Sequence, residues 1–275
     1  MEKSYKRVMT IAGSDPSGGA GVQADIKTIS ALGCFATSAI VAVVDENTVG
    51  VTGVHPIPAD FVVGQIHSIL DDIGTDAVKI GMLHSSELIR AVRRTLDEYP
   101  SLRDIVLDPV MVATSGDPLL EADAVATLRE VLIPRARVIT PNIPEAELLL
   151  GSKIGSQDQL PDAARELARL GASVLLKAGH LAATETELVD IFYNVETGRL
   201  TRLAAPRIDT RNTHGTGCTL SSAFASQLAL GKPLDEAAAK AKAYIAAAIA
   251  AGSRYRIGRG HGPVHHFHAL WPALR

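Results

Sequence analysis

The sequence of 275 residues is poor in cysteine and in aromatic residues, and it has no apolar run long enough for a membrane span. Two cysteines, Cys34 and Cys218, exclude a fold built on several disulfides and favour a reducing cytoplasm. The net charge of -3 gives no indication of nucleic acid or an anionic membrane as the main partner. The first apolar stretch, residues 8–12, is too short for a signal peptide. We therefore expect neither nucleic acid nor membrane as a partner.

Apolar residues make up 47% of the chain and charged residues 21%, which is enough apolar material for a sizeable core. No low-complexity linker and no internal repeat divides the sequence. We therefore predict a single domain over residues 1–275.

Short apolar segments alternate with segments of helical spacing. Residues 8–12 predict a strand, and residues 21–32 a helix with Val22, Ile26 and Ile29 on one face. Further strands are predicted at 39–44, 77–80, 105–107, 138–140 and 173–176, with a hairpin at 188–193 and 200–204. This alternation predicts an α/β fold with a mostly parallel sheet covered on both faces. Ser156 and Gln159 predict a capping box for the helix that follows them.

Polar and glycine-rich segments follow the predicted strands. Ligands of parallel sheets bind beyond the carboxyl ends of the strands, so these segments predict one shared site. They are Gly13-Ser14-Asp15, Asp45-Glu46-Asn47, Lys79-Ile80-Gly81-Met82, Asp108-Pro109-Val110-Met111, Thr140-Pro141-Asn142 and Lys177-Ala178-Gly179-His180.

The glycine-rich segment 13–21 precedes the first predicted helix. Residues 19–24 match G-x-G-x-x-A, and Asp45 or Glu46 sits near the place of a ribose-binding acid. An NAD-dependent oxidoreductase is therefore one alternative. The turn between strand and helix is longer than a dinucleotide fold requires, so the match is weak.

A second glycine-rich segment, Thr213-His214-Gly215-Thr216-Gly217-Cys218-Thr219, begins a predicted helix. Amides at a helix start lack internal partners and attract anions, and glycine lets a phosphate approach the backbone. Asp209 and Thr210 add polar groups just upstream. No G-x-x-x-x-G-K-[ST] motif occurs, so this segment predicts phosphoryl transfer at a helix start instead of a P-loop.

These motifs together identify a family. Residues 11–25, 79–82, 108–111, 140–147, 212–219 and 260–266 resemble the hydroxymethylpyrimidine/phosphomethylpyrimidine kinases of thiamin biosynthesis, within the ribokinase superfamily. The resemblance implies a ribokinase-like three-layer α/β/α fold, ATP and Mg²⁺. It implies phosphorylation of 4-amino-5-hydroxymethyl-2-methylpyrimidine to the monophosphate and then to the diphosphate. It also implies a homodimer.

The resemblance further implies residue roles. The residues expected at the moving phosphoryl group are Gly215, Thr216, Gly217 and Cys218. Those expected at the nucleotide are Asn142, Lys177, Asp209 and Thr210, and those at the metal are Asp108 and Glu145. Those expected at the pyrimidine are Gly13, Asp25, Val44, Glu46, Met82 and Val110, with Asp25 bonded to the hydroxymethyl group.

Cys218 stands where the wider superfamily has an aspartate base. A thiol at a helix start can hold some thiolate, although nearby nucleotide phosphates oppose this. A phosphate monoester, with a second pKa of about 6, is already largely ionised near neutral pH. We therefore predict that Cys218 acts as base or hydroxyl orienter in the first phosphorylation only. The alternative is a small buried apolar residue.

Glu46 departs from the family pattern, which reads Ala-Gln-Asn-Thr where this chain has Asp45-Glu46-Asn47-Thr48. Glutamine both accepts and donates, whereas an ionised glutamate only accepts. Glu46 therefore fits a protonated aminopyrimidine or a ligand that donates twice, or is itself protonated by burial. A pyridoxine or pyridoxal kinase of the same superfamily is the main alternative.

Histidines cluster in residues 261–268, where Gly262 and Pro263 prevent a regular helix. We predict a lid or packing segment near the nucleotide there, and not a metal site. For His214 two interpretations stay open, a phosphate contact or a role in shaping the loop.

Overall fold

Nine strands form one mixed sheet in the computed structural model, which describes residues 4–111, 123–179, 181 and 186–271. The strands are β1 (Arg7–Ser14), β2 (Phe35–Glu46), β3 (Val51–Pro56), β4 (Ala77–Ile80), β5 (Ile105–Leu107), β6 (Val138–Ile139), β7 (Ser173–Leu176), β8 (Glu187–Asn194) and β9 (Arg199–Pro206). The α-helices are α1 (Gly21–Ala31), α2 (Ala59–Asp72), α3 (Ser86–Asp97), α4 (Ala124–Thr127), α5 (Ile143–Leu150), α6 (Leu160–Ala168), α7 (Thr216–Ala229) and α8 (Leu234–Gly252). A π-helical turn and a 3₁₀ turn extend α4 to Arg135.

The strand order is β3-β2-β1-β4-β5-β6-β7-β8-β9. The six inner strands pair in parallel, in the spatial order β2, β1, β4, β5, β6 and β7. At one edge β3 pairs antiparallel with β2, and at the other edge β8 and β9 pair antiparallel. The carboxyl ends of the parallel strands therefore meet along one edge of the sheet.

Buried apolar side chains fill both faces of the sheet, because successive residues of a strand point to opposite sides. On β1, Val8 joins the core formed with α1, α7 and α8, whereas Met9 packs with α2 and α3 on the other face. Small residues such as Ala237 and Ala241 of α8 are fully buried, which allows close helix packing. The predicted three-layer α/β/α fold is confirmed.

Two local predictions need correction. β3 was not predicted, because most of its residues are exposed and it contains Gly53 and Pro56, so an edge strand of this kind has no buried periodicity. The capping box predicted at Ser156 is wrong: the Ser156 side chain makes no cap, and a 3₁₀ turn over residues 157–159 precedes α6. The chain does form a capping box, but at Asn142.

The longest helix of the described residues, α8, has 19 residues and includes Lys240 and Lys242. Among the residues that the structure describes, no helix combines the length and apolar character that crossing a bilayer requires.

Candidate active site

A cavity of about 1020 Å³ opens at the carboxyl ends of the parallel strands. The predicted site residues that line it are Gly13, Val44, Glu46, Met82, Asp108, Val110, Asn142, Glu145, Lys177, Asp209, Thr210, Gly215, Thr216, Gly217 and Cys218. Among the predicted site residues, Asp25 does not line the cavity. His180, at the end of one predicted segment, lies outside the described residues. The structure therefore brings the predicted phosphate, metal and pyrimidine positions into one cavity.

The start of α7 forms one end of this cavity. Gly215 caps the helix with a φ of 77°, and a Cβ there would lie 1.8 Å from the carbonyl oxygen of Gly19, so only glycine fits. No side chain caps the helix, so the first-turn amides of Gly217 and Cys218 have no intrahelical acceptor. Amides without an internal acceptor at a helix start are the feature on which the predicted anion binding depends.

Lys177 and Asp108 form an ion pair beside the same helix start. Nζ of Lys177 lies 3.0 Å from Oδ1 of Asp108, which also accepts a hydrogen bond of 2.9 Å from the Thr140 hydroxyl. Burial by itself lowers the pKa of Lys177, but the charges of Asp108 and Glu145 raise it above its ordinary value. Lys177 is therefore a fixed cation next to the amides of α7.

Asn142 and Glu145 form the capping box that starts α5. The backbone amide of Asn142 donates to Oε2 of Glu145 at 2.8 Å, and the backbone amide of Glu145 donates to Oδ1 of Asn142 at 2.9 Å. These bonds hold the Glu145 carboxylate in the cavity wall, 3.9 Å from Nζ of Lys177. The family resemblance singled out this pair, and the structure shows how its spacing holds the carboxylate.

The carboxylates of Asp108 and Glu145 fit a hard divalent cation. Burial raises the pKa of Glu145 to about 7, and the negative charge of Asp108 adds to this although Lys177 opposes it. Two buried carboxylates that repel each other gain from a cation of higher charge, and oxygen ligands suit Mg²⁺. The donor set therefore fits the predicted metal.

Cys218 differs from its prediction in its ionisation. Burial raises the pKa of the Cys218 thiol to about 11, and the charges of Asp25 and Asp108 add to the rise while Lys79 opposes it. Burial therefore outweighs the opposing charge of Lys79 and favours the neutral thiol. This favours the hydroxyl-orienting role over the base role, and the role of Cys218 stays a prediction.

Three predicted pyrimidine contacts converge at the ends of β1, β2 and β4. A Cβ on Gly13 would lie 2.9 Å from Cε of Met82 and 3.8 Å from Cγ2 of Val44. Gly13 therefore leaves the room in which these apolar side chains meet. Val110 and Glu46 complete this wall.

Asp25 is not at the cavity wall, which corrects its predicted contact with the hydroxymethyl group. Its carboxylate is fully buried and accepts from Thr10 at 2.6 Å, Ser222 at 2.7 Å and Lys79 at 2.8 Å. A carboxylate with three donors satisfies its hydrogen-bonding capacity within the protein. The residue beside it that reaches the cavity is Lys79.

His214 lies between two carboxylates, a feature that sequence reasoning left open. Its Nε2 atom is 2.8 Å from Oδ2 of Asp15 and 3.9 Å from Oε1 of Glu46. Burial lowers the pKa of His214, but the bond to Asp15 and both negative charges raise it above its ordinary value. The two carboxylates therefore favour the protonated form of His214, which joins the loop of Asp15 to the end of β2.

Asp15 closes its own glycine-rich loop by accepting from the amides of Ser17, Gly19 and Ala20. Burial alone would raise the pKa of Asp15, but these bonds and His214 hold it well below its usual range. No spacing rule identified Asp15 beforehand, because its main partner is 199 residues away.

The same loop explains why the G-x-G-x-x-A match is misleading. A Cβ on Gly19 would lie 2.4 Å from Cδ2 of His214, and one on Gly21 would lie 2.4 Å from the carbonyl oxygen of Gly13. These glycines allow the loop to pack against protein. In a dinucleotide fold the corresponding glycines let a pyrophosphate approach.

Apolar side chains of α7 and α8 line another part of the cavity, which the sequence analysis did not predict. They are Leu220, Ile245, Ala246 and Ile249. Lys242 lies in the same wall and pairs with Asp190 at 2.7 Å. Helical periodicity alone does not distinguish such a wall from ordinary core packing.

The C-terminal tail packs against the glycine-rich loops. The His214 amide donates to the Gly262 carbonyl at 3.0 Å, and the His261 amide donates to the Thr48 carbonyl at 2.7 Å. Ring contacts join His265 to Tyr255 and to Trp271. The tail thus contacts the loop that contains His214 and the turn that contains Thr48, as expected for a packing segment.

Fold and site together define a small-molecule phosphotransferase of ribokinase-like architecture. A family model described as phosphomethylpyrimidine kinase matches residues 15–265, so the chain belongs to that family. The oxidoreductase alternative has no support from this assignment.

Individual relatives agree with the family. The hydroxymethylpyrimidine/phosphomethylpyrimidine kinase of Rhizobium meliloti is 50% identical over 265 residues, covering 96% of this chain and 97% of the relative. The ADP complex of Bacillus subtilis pyridoxal kinase has a TM-score of 0.87 at 38% identity, covering 96% of this chain and 98% of that one. The phosphomethylpyrimidine kinase of Clostridium difficile has a TM-score of 0.76 at 41% identity, covering 87% and 97%.

Proposed function

We propose that this protein transfers the terminal phosphoryl group of ATP to the hydroxymethyl group of 4-amino-5-hydroxymethyl-2-methylpyrimidine, and then to the resulting monophosphate. The observation that carries the proposal is the start of α7, which opens beside the Lys177–Asp108 pair into the cavity that Gly13, Val44 and Met82 also line. Family membership supports both reactions.

Phosphoryl transfer asks the protein mainly for positioning and for neutralisation of charge. The amides of Gly217 and Cys218 donate to the oxygens of the transferred group, and Lys177 balances their charge. The neutral thiol of Cys218 orients the attacking hydroxyl. In a loose transition state the hydroxyl proton leaves late and passes to an oxygen of the transferred phosphoryl group, so no strong protein base is needed.

Asp108 and Glu145 would hold Mg²⁺, partly through water, with Asn142 supporting them through the capping box. When bound, the ion neutralises phosphate charge and orients the nucleotide. Asp209 and Thr210 border the cavity before α7, where they contact the nucleotide.

A pyridoxal kinase activity is the second candidate, and Glu46 is the observation that favours it. A carboxylate in the pyrimidine wall selects rings that donate to it, and a protonated pyridine nitrogen is one such donor. The likeness to pyridoxal kinase structures supports the same alternative.

The function is tested by incubating the protein with ATP and Mg²⁺ and, separately, the pyrimidine alcohol, its monophosphate, pyridoxine and pyridoxal. We expect pyrimidine mono- and diphosphate by mass spectrometry, and their loss in Lys177→Ala. Lys153→Ala removes an exposed lysine as the control and should keep the activity. Products confined to pyridoxine or pyridoxal phosphate would replace the first candidate by the second.

The cellular setting is part of the proposal. Cys34 and Cys218 are both free thiols, which fits a reducing cytoplasm. We also propose one domain and a homodimer, for which exposed Val43 and Val54 at the β2–β3 edge provide apolar surface. Sedimentation analysis tests the dimer.

A further inference from the structure

Lys79 and Asp25 form an ion pair beneath the cavity. Nζ of Lys79 lies 2.8 Å from Oδ2 of Asp25, and both side chains are 0% exposed. Burying two charges requires a large desolvation free energy, and apolar residues of the same size often stabilise a core equally well. The pair therefore needs an explanation other than stability.

The pair connects four elements. Asp25 belongs to α1, Lys79 to β4, and the further donors to the carboxylate are Thr10 on β1 and Ser222 on α7. Ser222 lies one helical turn after Cys218, so the carboxylate is bonded directly to the helix that begins at the anion-binding amides. The position of the pair relative to those amides is thereby fixed.

The pair is also oriented. Lys79 belongs to the residues around the cavity and Asp25 does not, so the cationic member of the buried pair lies nearer the cavity than the carboxylate member. Gly81 leaves space for the ammonium group, because a Cβ there would lie 2.8 Å from Nζ of Lys79. Burial by itself lowers the pKa of Lys79, but the charge of Asp25 raises it above the ordinary value, so the group stays a cation. Its charge reaches Cys218, whose thiol pKa it lowers against the effect of burial.

The two acceptors of the proposed function differ in charge. The first is a neutral alcohol, whereas the second is a phosphate monoester with a charge of about -1.5 to -2 at neutral pH. The cavity lysines Lys177, Lys242 and Lys79 are each paired with a carboxylate. A positive charge near Cys218 favours binding of the charged second acceptor more than binding of the neutral first acceptor.

We propose that Lys79, held by Asp25, is a positioning residue that presents a fixed positive charge to the monophosphate and so serves the second phosphorylation. This inference rests on the proposed function. It assigns the two steps to different groups: the thiol of Cys218 orients the alcohol, and the field of the buried Lys79 ammonium attracts the anion to the adjoining part of the cavity.

The test removes both charges at once, because Lys79→Met alone would leave Asp25 buried without its cation. In the variant with Lys79→Met and Asp25→Asn, we expect kcat/KM for the monophosphate to fall roughly 10- to 100-fold and that for the alcohol to change less than about threefold. Calorimetry without nucleotide should show a weaker Kd for the monophosphate and an unchanged Kd for the alcohol, which a purely structural role would not produce.

The matched control is Lys242→Met with Asp190→Asn, which removes a similar buried pair from another wall of the same cavity. We expect this control to change both steps by a common factor. Equal losses in both steps for the Lys79 variant, or the same selective loss in the control, would overturn the inference. If the wild type phosphorylates neither acceptor, the proposed function itself fails before the variants are compared.

Discussion

Nζ of Lys177 lies 3.0 Å from Oδ1 of Asp108, and Gly217 at the start of α7 leaves the room for this pair. A Cβ on Gly217 would lie 3.2 Å from Oδ2 of Asp108 and 3.3 Å from Nζ of Lys177. The small size of Gly217 thus serves the side chains beside it as well as the phosphate that its amide binds.

Gly217→Ala should displace this ion pair by a few tenths of an ångström and lower kcat roughly tenfold or more, because small misplacements of charged groups are costly in phosphoryl transfer. Thermal unfolding should change little, since alanine favours a helix. Gly64→Ala in α2 is the control, because a Cβ there meets nothing within 4 Å. An unchanged kcat in Gly217→Ala would contradict the positioning argument.

Cys218→Ala should impair phosphorylation of the alcohol far more than phosphorylation of the monophosphate, because the ionised monoester needs no orienting partner. With a thiol pKa of about 11, alkylation of Cys218 by iodoacetamide should be slow at pH 8 and rise steeply only at higher pH. Cys34→Ala provides the background in which Cys218 is the remaining thiol. Rapid alkylation near neutral pH, or equal losses in both steps, would refute the orienting role.

Glu46→Gln tests the residue that departs from the family pattern. If the protonated pyrimidine ring binds the ionised carboxylate of Glu46, the KM of the wild type for the pyrimidine alcohol should rise as pH increases through the pKa of the ring. The variant should show a flatter profile, since glutamine donates to a neutral ring. Asp45→Asn removes the neighbouring carboxylate, which is exposed, and should keep the wild-type profile.

A strong gain in pyrimidine turnover in Glu46→Gln, with a loss of pyridoxine turnover, would favour the pyridoxal kinase alternative. Steady-state kinetics with both substrates at several pH values distinguishes the outcomes.

The Asp15–His214 pair predicts a pH-dependent stability. The folded pKa of His214 is raised, so its contribution is fully present below the unfolded pKa of about 6.5 and is lost as pH rises through the folded pKa. The folded pKa of Asp15 is lowered, so its contribution is present above about 3.9 and is lost as pH falls through the folded pKa. The pair therefore stabilises most between these two unfolded pKa values.

His214→Gln should lower the free energy of unfolding by about 1–3 kcal/mol at pH 5.5, and the difference from wild type should shrink above pH 7. Urea unfolding between pH 4 and pH 9 measures it. Burial lowers the pKa of His266 to about 4, so His266 also makes stability depend on pH. Because wild type and variant both contain His266, comparing them at each pH cancels this effect. A difference that is constant with pH would show that folding does not raise the pKa of His214.

Local patterns predicted much of this fold. Residues 77–80 and 173–176 form strands at the predicted bounds, because short, mostly apolar segments between helices are typical of inner parallel strands. The edge strand β3 was missed because its side chains are mostly exposed. The apolar wall of α7 and α8 was missed because its residues have the spacing of ordinary core positions.

The sequence by itself determined the alternation of strands and helices and the polar segments that follow the strands, because these depend on periodicity and on residues close together in the chain. The family resemblance added the expected site residues. Only the tertiary structure decided the ionisation of the site. Burial raises the pKa of Cys218, two carboxylates raise the pKa of His214 against the effect of burial, and Asp25 bonds Lys79 beneath the cavity. Each of these depends on burial and on charges brought from distant segments, which no local pattern contains.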